Sequence, residues 1–212
     1  MGSTSINHRI GRVVAVVVAA GAVALLAVPP AAAQANATAE LAAFQARLDA
    51  YSEMHRKLEG PLPPMMVTSD MDEVHRLMDA LRSRLKAARG TTGRQGALIT
   101  PKLAIVLREV VGSTLTLADI VNVSEELAEH TPPRMPRVRV NEPLPQDAPF
   151  VMLAPQLLKA LPPLPEELRY VALGGALIIW DQHANLVVEV VPRLFDPLTY
   201  SNKKSLAAGS RR

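Results

Sequence analysis

An aspartate and a histidine at a short turn near the end of the chain are the residues whose types and spacing best suit chemistry. Asp181 ends an apolar segment, and His183 follows two positions later. A carboxylate beside an imidazole can orient a general base or hold a ligand. Turn chemistry explains the same pair, because a turn aspartate accepts backbone N–H groups and a histidine there is commonly exposed. We predict Asp181 and His183 as ligand-binding residues.

A hydrolase that uses this pair is the weaker alternative. No serine stands in a Gly-x-Ser-x-Gly sequence, so no nucleophile accompanies the two side chains. The chain has no cysteine, which also removes thiol nucleophiles. We predict no catalytic residue; whether the protein is an enzyme stays open, with a non-enzymatic role favoured.

The other histidines lack the spacing of metal ligands. Asp72 and His75 lie one helical turn apart, as do Glu126 and His130, and such pairs are typical of solvated helix faces. His55 lies in an otherwise apolar helical pattern, where we expect a hydrogen-bonded core or interface histidine. The sequence therefore predicts no metal site and no cofactor.

A cluster of methionines gives a second candidate for ligand binding. Met65, Met66 and Met71 lie close together beside a proline-rich segment. Thioethers can bind Cu(I), but neither histidine nor cysteine joins the cluster. We favour the interpretation that these flexible side chains fill gaps beneath the proline-rich loop.

Residues 1–35 have the features of an export signal. Arg9 and Arg12 precede an apolar segment, residues 13–28, and small residues follow in an Ala-x-Ala arrangement. The apolar segment is shorter than the roughly 20 residues that span a bilayer. We predict cleavage after Ala33 or Ala35, a periplasmic or secreted bacterial location, and no integral membrane segment after cleavage.

Cleavage would also change the charge balance. Arg9 and Arg12 belong to the 23 Lys and Arg side chains, so 21 would remain against 20 Asp and Glu, and the formal net charge would fall from +3 to +1. Four of the remaining cations lie in residues 201–212, which we predict to be a disordered basic tail. Nucleic acid is not an expected partner, because the body of the chain lacks a basic surface pattern.

Residues 36–200 are predicted to form one α+β domain with proline-rich connections. Apolar periodicity and capping residues predict four helices, at residues 36–58, 71–89, 100–112 and 116–127. A short helical segment, residues 155–161, follows. Val- and Ile-rich segments then predict a three-stranded antiparallel meander of Leu168–Leu173, Ala176–Asp181 and Leu186–Val191.

The middle strand of this meander is apolar on both faces. Ala176, Ile178 and Trp180 alternate with Leu177 and Ile179. Such a strand is usually covered on two sides. We expect helices on one face, and other helices or a second copy of the chain on the other.

Several segments together resemble a group of uncharacterised exported bacterial proteins. The similarity extends over about residues 41–191 and is carried by residues 88–101, 140–145, 161–170, 178–181 and 184–189. That group usually has the sequence Gly-Asp-Ile-Phe-Thr-Pro, whereas this chain has Gly-Ala-Leu-Ile-Thr-Pro at residues 96–101 and lacks the acid. The resemblance implies no activity and no site residue. The C-terminal hairpin is also similar to the end of small periplasmic nickel/cobalt-homeostasis proteins.

These observations favour an exported non-enzymatic protein that binds a macromolecular partner or envelope component. Proline-rich extended segments, the narrow apolar pattern of the first helix and the two-sided sheet support this hypothesis, and a homo-oligomer is compatible with it. The alternative is a periplasmic protein that binds a small ligand or metal, with Asp181, His183 or the methionines as contacts.

Overall fold

The chain folds as helices followed by an antiparallel sheet, which confirms the α+β class. A computed structural model describes residues 31–64, 70–129, 136–153 and 155–196. Within these ranges there are five helices: α1 (Ala31–Glu59), α2 (Met71–Arg89), α3 (Pro101–Thr114), α4 (Leu117–Glu129) and α5 (Pro155–Ala160). The strands are β1 (Val151–Met152), β2 (Leu168–Leu173), β3 (Ala176–Asp181) and β4 (Leu186–Val191).

The predicted export segment lies mostly outside the described residues, as does the predicted tail. Residues 1–30 and 197–212 are not described, whereas Ala33 and Ala35 fall in the first turns of α1. None of the described helices has the length and apolar character needed to cross a bilayer.

Local capping signals position the helix ends as expected. The Asp70 carboxylate accepts two backbone N–H groups of the first turn of α2, and Gly90 ends this helix with a φ of +45°. Thr100 accepts the Leu103 N–H at the start of α3. Two predicted ends were wrong, because α1 begins at Ala31 instead of residue 36 and α3 continues through Gly112 to Thr114.

The three strands of the predicted meander have the predicted bounds. β2 and β3 meet at Gly174 and Gly175, whose φ values of +51° and +80° suit a tight two-residue turn that glycine adopts without strain. The second turn, residues 182–185, joins β3 to β4, with Asp181 paired to Leu186. A fourth strand, β1, pairs with β2 at the sheet edge and was not predicted, because two residues carry no detectable alternation.

Each face of the sheet contacts a different covering layer. Leu177 and Ile179 belong to the main core together with the helices, whereas Ile178 belongs to a second cluster. Leu144 and Ala148, from the proline-rich loop, are buried in that second cluster. Among the described residues, a loop of the same chain covers this face in place of the expected helices, and the expected second copy stays a prediction.

The loop also continues the hydrogen bonding beyond β4. The Asn141 N–H donates to the Val187 carbonyl at 2.8 Å, and the Val187 N–H donates to the Glu142 carbonyl at 2.9 Å. Val138 and Val140, which lie directly before this two-bond contact, belong to no described strand.

Candidate functional site

The first helix presents three polar side chains in one row toward the end of the sheet. Tyr51, His55 and Glu59 are separated by four residues each, so they lie on the same side of α1 as the buried Phe44 and Leu48. Tyr51 and His55 are buried, whereas the Glu59 side chain is 33% exposed. The apolar contacts that pack α1 therefore hold this row against the sheet.

The third strand brings Asp181 beneath the row. Side chains alternate along a strand, so Asp181 faces the helices together with Leu177 and Ile179. Its side chain is completely buried. The Tyr51 hydroxyl donates to Asp181 Oδ2 at 2.7 Å, and the Ala184 N–H donates to Oδ1 at 2.9 Å. Both carboxylate oxygens are thus held in place.

His55 lies between two carboxylates. Its Nε2 atom is 3.2 Å from Asp181 Oδ2, within ion-pair distance although not aligned as a hydrogen bond. Its Nδ1 atom is 3.4 Å from Glu59 Oε2. Burial by itself lowers the pKa of His55, but the contact and charge of Asp181, with the charges of Glu59 and Glu167, outweigh it and raise the pKa.

The turn after β3 adds the second imidazole. His183 Nδ1 lies 2.9 Å from Glu59 Oε1, and the rings of His55 and His183 are 5.5 Å apart between centroids. The Glu59 carboxylate therefore lies between the Nδ1 atom of His55 and the Nδ1 atom of His183. The side chains of His183 and Glu59 are each 33% exposed, so this end of the row is open to solvent.

These three side chains form a set of donors suited to a metal ion. Ligand atoms of His55, Glu59 and His183 all lie within 4.8 Å of one another. A tetrahedral zinc ion with bonds of about 2.0–2.1 Å places its ligand atoms about 3.3 Å apart. The nitrogen–oxygen distances of 3.4 Å for His55–Glu59 and 2.9 Å for His183–Glu59 are close to that separation.

The charges around the cluster also favour a cation. Asp181, Glu59 and Glu167 all act on His55 in the direction that stabilises positive charge. Glu167 is buried, and its Oε1 atom has no hydrogen-bond partner among the described residues. A divalent ion beside His55 would offset this concentration of carboxylates.

A cavity of about 500 Å³ opens beside the exposed end of the cluster. Glu59 and His183 form its polar side, and Leu62, Pro63 and Leu77 contribute apolar walls. An ion held by the three side chains would therefore have space for a further small ligand.

The structure gives the two predicted ligand-binding residues different positions. Asp181 accepts a backbone N–H at the turn, as the turn chemistry predicts, but it is buried against His55 and Tyr51. His183 is half-buried and contacts Glu59 instead. The two residues thus belong to one cluster through His55 and Glu59, and both remain predictions as ligand-binding residues.

Sequence reasoning missed Glu59 and did not connect His55 to the turn. His55 is the expected buried histidine, but the turn lies far from α1 in sequence, since Glu59 and His183 are 124 positions apart. The spacing of four between His55 and Glu59 was the available local signal. His75 is exposed on α2, while His130, Met65 and Met66 lie outside the described residues.

Comparison with models of protein families, with curated proteins and with solved structures finds no match for this chain.

Proposed function

We propose that this chain is an exported protein that binds a divalent transition-metal ion, such as Zn²⁺, through His55, Glu59 and His183. The observation that carries the proposal is the position of the Glu59 carboxylate, which lies 3.4 Å and 2.9 Å from the Nδ1 atoms of the two histidines. Imidazole and carboxylate are ordinary ligands for such ions.

The contacts behind the donors support the same proposal. Metal-binding histidines almost always direct their second ring nitrogen to a carboxylate or carbonyl. In His55 the second nitrogen lies 3.2 Å from Asp181 Oδ2, and Tyr51 and Ala184 fix that carboxylate. This leaves Nδ1 as the ligand atom of His55.

The accessible end of the cluster favours an exchangeable ion over a purely structural one. Structural zinc sites have four protein ligands, whereas sites with three keep a position for water or another ligand. Here three donors border a cavity of about 500 Å³. We infer that the protein acquires or presents a metal ion rather than using it only to fold.

The export part of the proposal is supported by the sequence alone. Arg9 and Arg12, the apolar residues 13–28 and the Ala-x-Ala arrangement are the features of a cleaved signal. N-terminal sequencing of the protein from an envelope fraction tests it, with cleavage expected after Ala33 or Ala35. An intact N-terminus in the cytoplasmic fraction would contradict export.

Calorimetric titration with Zn²⁺ tests metal binding, supported by the absorption spectrum of the Co²⁺ form. We expect one ion per chain in the wild type and a loss of affinity of about 100-fold or more in His183→Ala and Glu59→Gln. The matched control is His75→Ala, which removes an exposed histidine of α2. Binding that is absent in the wild type, or equal in His183→Ala, would contradict the proposal.

A macromolecular partner remains the second candidate. Phe150 and Met152 are 37% and 55% exposed, and the Phe150 ring lies 6.0 Å from that of Trp180. This apolar surface borders a cavity of about 620 Å³ beside Pro143 and Pro145. Light scattering and recovery of partners from envelope extracts, repeated with Met152→Lys, test this function; a monomer without partners would contradict it.

A further inference from the structure

A second cavity beside α1, which Tyr51 also lines, contains two guanidinium groups. Arg47 and Arg89 both line this cavity of about 290 Å³, together with Thr92. Its remaining walls include Met54, Leu98 and Val188. None of the described residues that line it carries a carboxylate. The cavity thus combines permanent positive charge with a mainly apolar surface.

The Arg47 side chain has a hydrogen-bond donor without an acceptor. Its Nε–H donates to the Leu98 carbonyl at 2.8 Å, which fixes the guanidinium plane. Its Nη2 atom is buried and has no partner among the described residues. Buried polar groups nearly always have partners, so this guanidinium nitrogen beside a cavity has a donor free for a water molecule or for an acceptor on a ligand.

Arg89 is held rigidly at the same cavity. It is 5% exposed, and its Nη2–H donates to the Val188 carbonyl at 2.9 Å. Its guanidinium carbon lies 5.7 Å from the centre of the Tyr51 ring, which is within the range of a cation–π contact. The side chain is therefore positioned before any ligand binds.

Glu189 and Asp181, the two carboxylates that act electrostatically on Arg89, both accept hydrogen bonds from other groups. Glu189 acts electrostatically on Arg89, but its oxygens accept the backbone N–H groups of Gly96, Leu98 and Ile99. The charge of Arg47 has no described ion-pair partner.

We propose that this cavity binds a small organic carboxylate, with its oxygens on Arg47 and Arg89 and its apolar body against Met54 and Leu98. Guanidinium groups bind carboxylates through paired, planar hydrogen bonds, and apolar walls select an aliphatic or aromatic body over a bare ion. The proposed metal ligands His55, Glu59 and His183 lie outside the lining of this cavity, so carboxylate binding and metal binding are measured separately.

Titration of the purified protein with acetate, hexanoate and inorganic phosphate at constant ionic strength tests the proposal. We expect hexanoate to bind at least about tenfold more tightly than acetate or phosphate, because only hexanoate meets both the guanidinium groups and the apolar walls. Arg47→Gln is expected to weaken hexanoate binding by about tenfold or more. The control Arg76→Gln removes an exposed guanidinium of α2 and is expected to leave binding unchanged.

A second variant keeps the test decisive if Arg47→Gln does not fold. Ala50 lines the cavity from an exposed position of α1, so Ala50→Leu fills the space and keeps both arginines. It is expected to weaken hexanoate binding, whereas Ala42→Leu, elsewhere on α1, is not. Absence of carboxylate binding, binding of phosphate alone, or hexanoate binding that is unchanged in Ala50→Leu would overturn the proposal.

Discussion

The Nε2 atom of His55 lies 3.2 Å from Oδ2 of the completely buried Asp181, which joins the first helix to the end of the third strand. With Nε2 beside Asp181, the Nδ1 atom of His55 faces Glu59 at 3.4 Å. The proposed metal site therefore depends on a residue that is not itself a proposed ligand, and Asp181 becomes a positioning residue.

Asp181→Asn is expected to lower the affinity for Zn²⁺ by about 10–100-fold, the usual effect of removing a carboxylate that orients a metal-binding histidine. The change also removes the charge of a carboxylate that accepts hydrogen bonds from Tyr51 and Ala184, so it is expected to lower stability as well. Affinity is therefore measured by competition with a chelator, at a temperature where the variant is folded. Asp49→Asn, an exposed change on α1, is the control. An unchanged affinity would show that Asp181 does not orient His55.

Metal removal is expected to lower the stability of the protein. An ion that binds only the folded state at 100 times its dissociation constant adds about 2.7 kcal/mol to the free energy of unfolding. Urea unfolding with Zn²⁺ and then with excess chelator measures this difference. In His183→Ala the two curves should coincide; an equal increment there would assign the effect to another site.

Glu189→Gln is expected to destabilise the fold by about 2–4 kcal/mol, because charge-assisted hydrogen bonds to a buried carboxylate are lost. Glu189 is 1% exposed, and it fixes the loop before α3 by accepting N–H groups from Gly96, Leu98 and Ile99. The urea midpoint measures the loss. The control Glu142→Gln changes a carboxylate that is 47% exposed and should alter stability by less than about 0.5 kcal/mol. Equal effects of the two changes would contradict the role given to Glu189.

Alkaline pH is expected to destabilise the protein through its buried tyrosines. Burial, followed by the charge and hydrogen bond of Asp181, raises the pKa of Tyr51 well above 10.0, and burial raises that of Tyr170. The folded state keeps these phenol protons, whereas the unfolded state releases them near pH 10.0. Their contribution to stability is therefore fully present below pH 10.0 and is lost as the pH rises toward the folded-state pKa values.

Phenolate absorbance and urea unfolding between pH 9 and pH 12 test this expectation. Folded protein should form less phenolate than protein in denaturant at the same pH, and Tyr51→Phe should reduce the loss of stability at high pH. Equal phenolate formation in folded and denatured protein would contradict the burial of the two hydroxyl groups.

Local chemistry made much of the fold predictable. Asp70 and Thr100 cap helices by accepting nearby N–H groups, and Gly174-Gly175 permits the turn between β2 and β3, so these boundaries follow from a few adjacent residues. The two-residue strand β1 and the burial of the proline-rich loop were missed, because both segments are held only by contacts with the folded sheet. Such contacts leave no periodic signal in the segments that make them.

The sequence by itself determined the two halves of the candidate site. Spacing of four residues puts Tyr51, His55 and Glu59 on one side of a helix, and alternation puts Asp181 on one face of a strand. Only the tertiary structure decided that these halves meet, since burial of the apolar side of α1 on the sheet sets the depth and direction at which His55 and Glu59 arrive. The hydrophobic effect is non-directional, so an apolar pattern in the sequence does not specify which side chains will meet. The 2.9 Å contact between Glu59 and His183 is therefore decided by how the core packs.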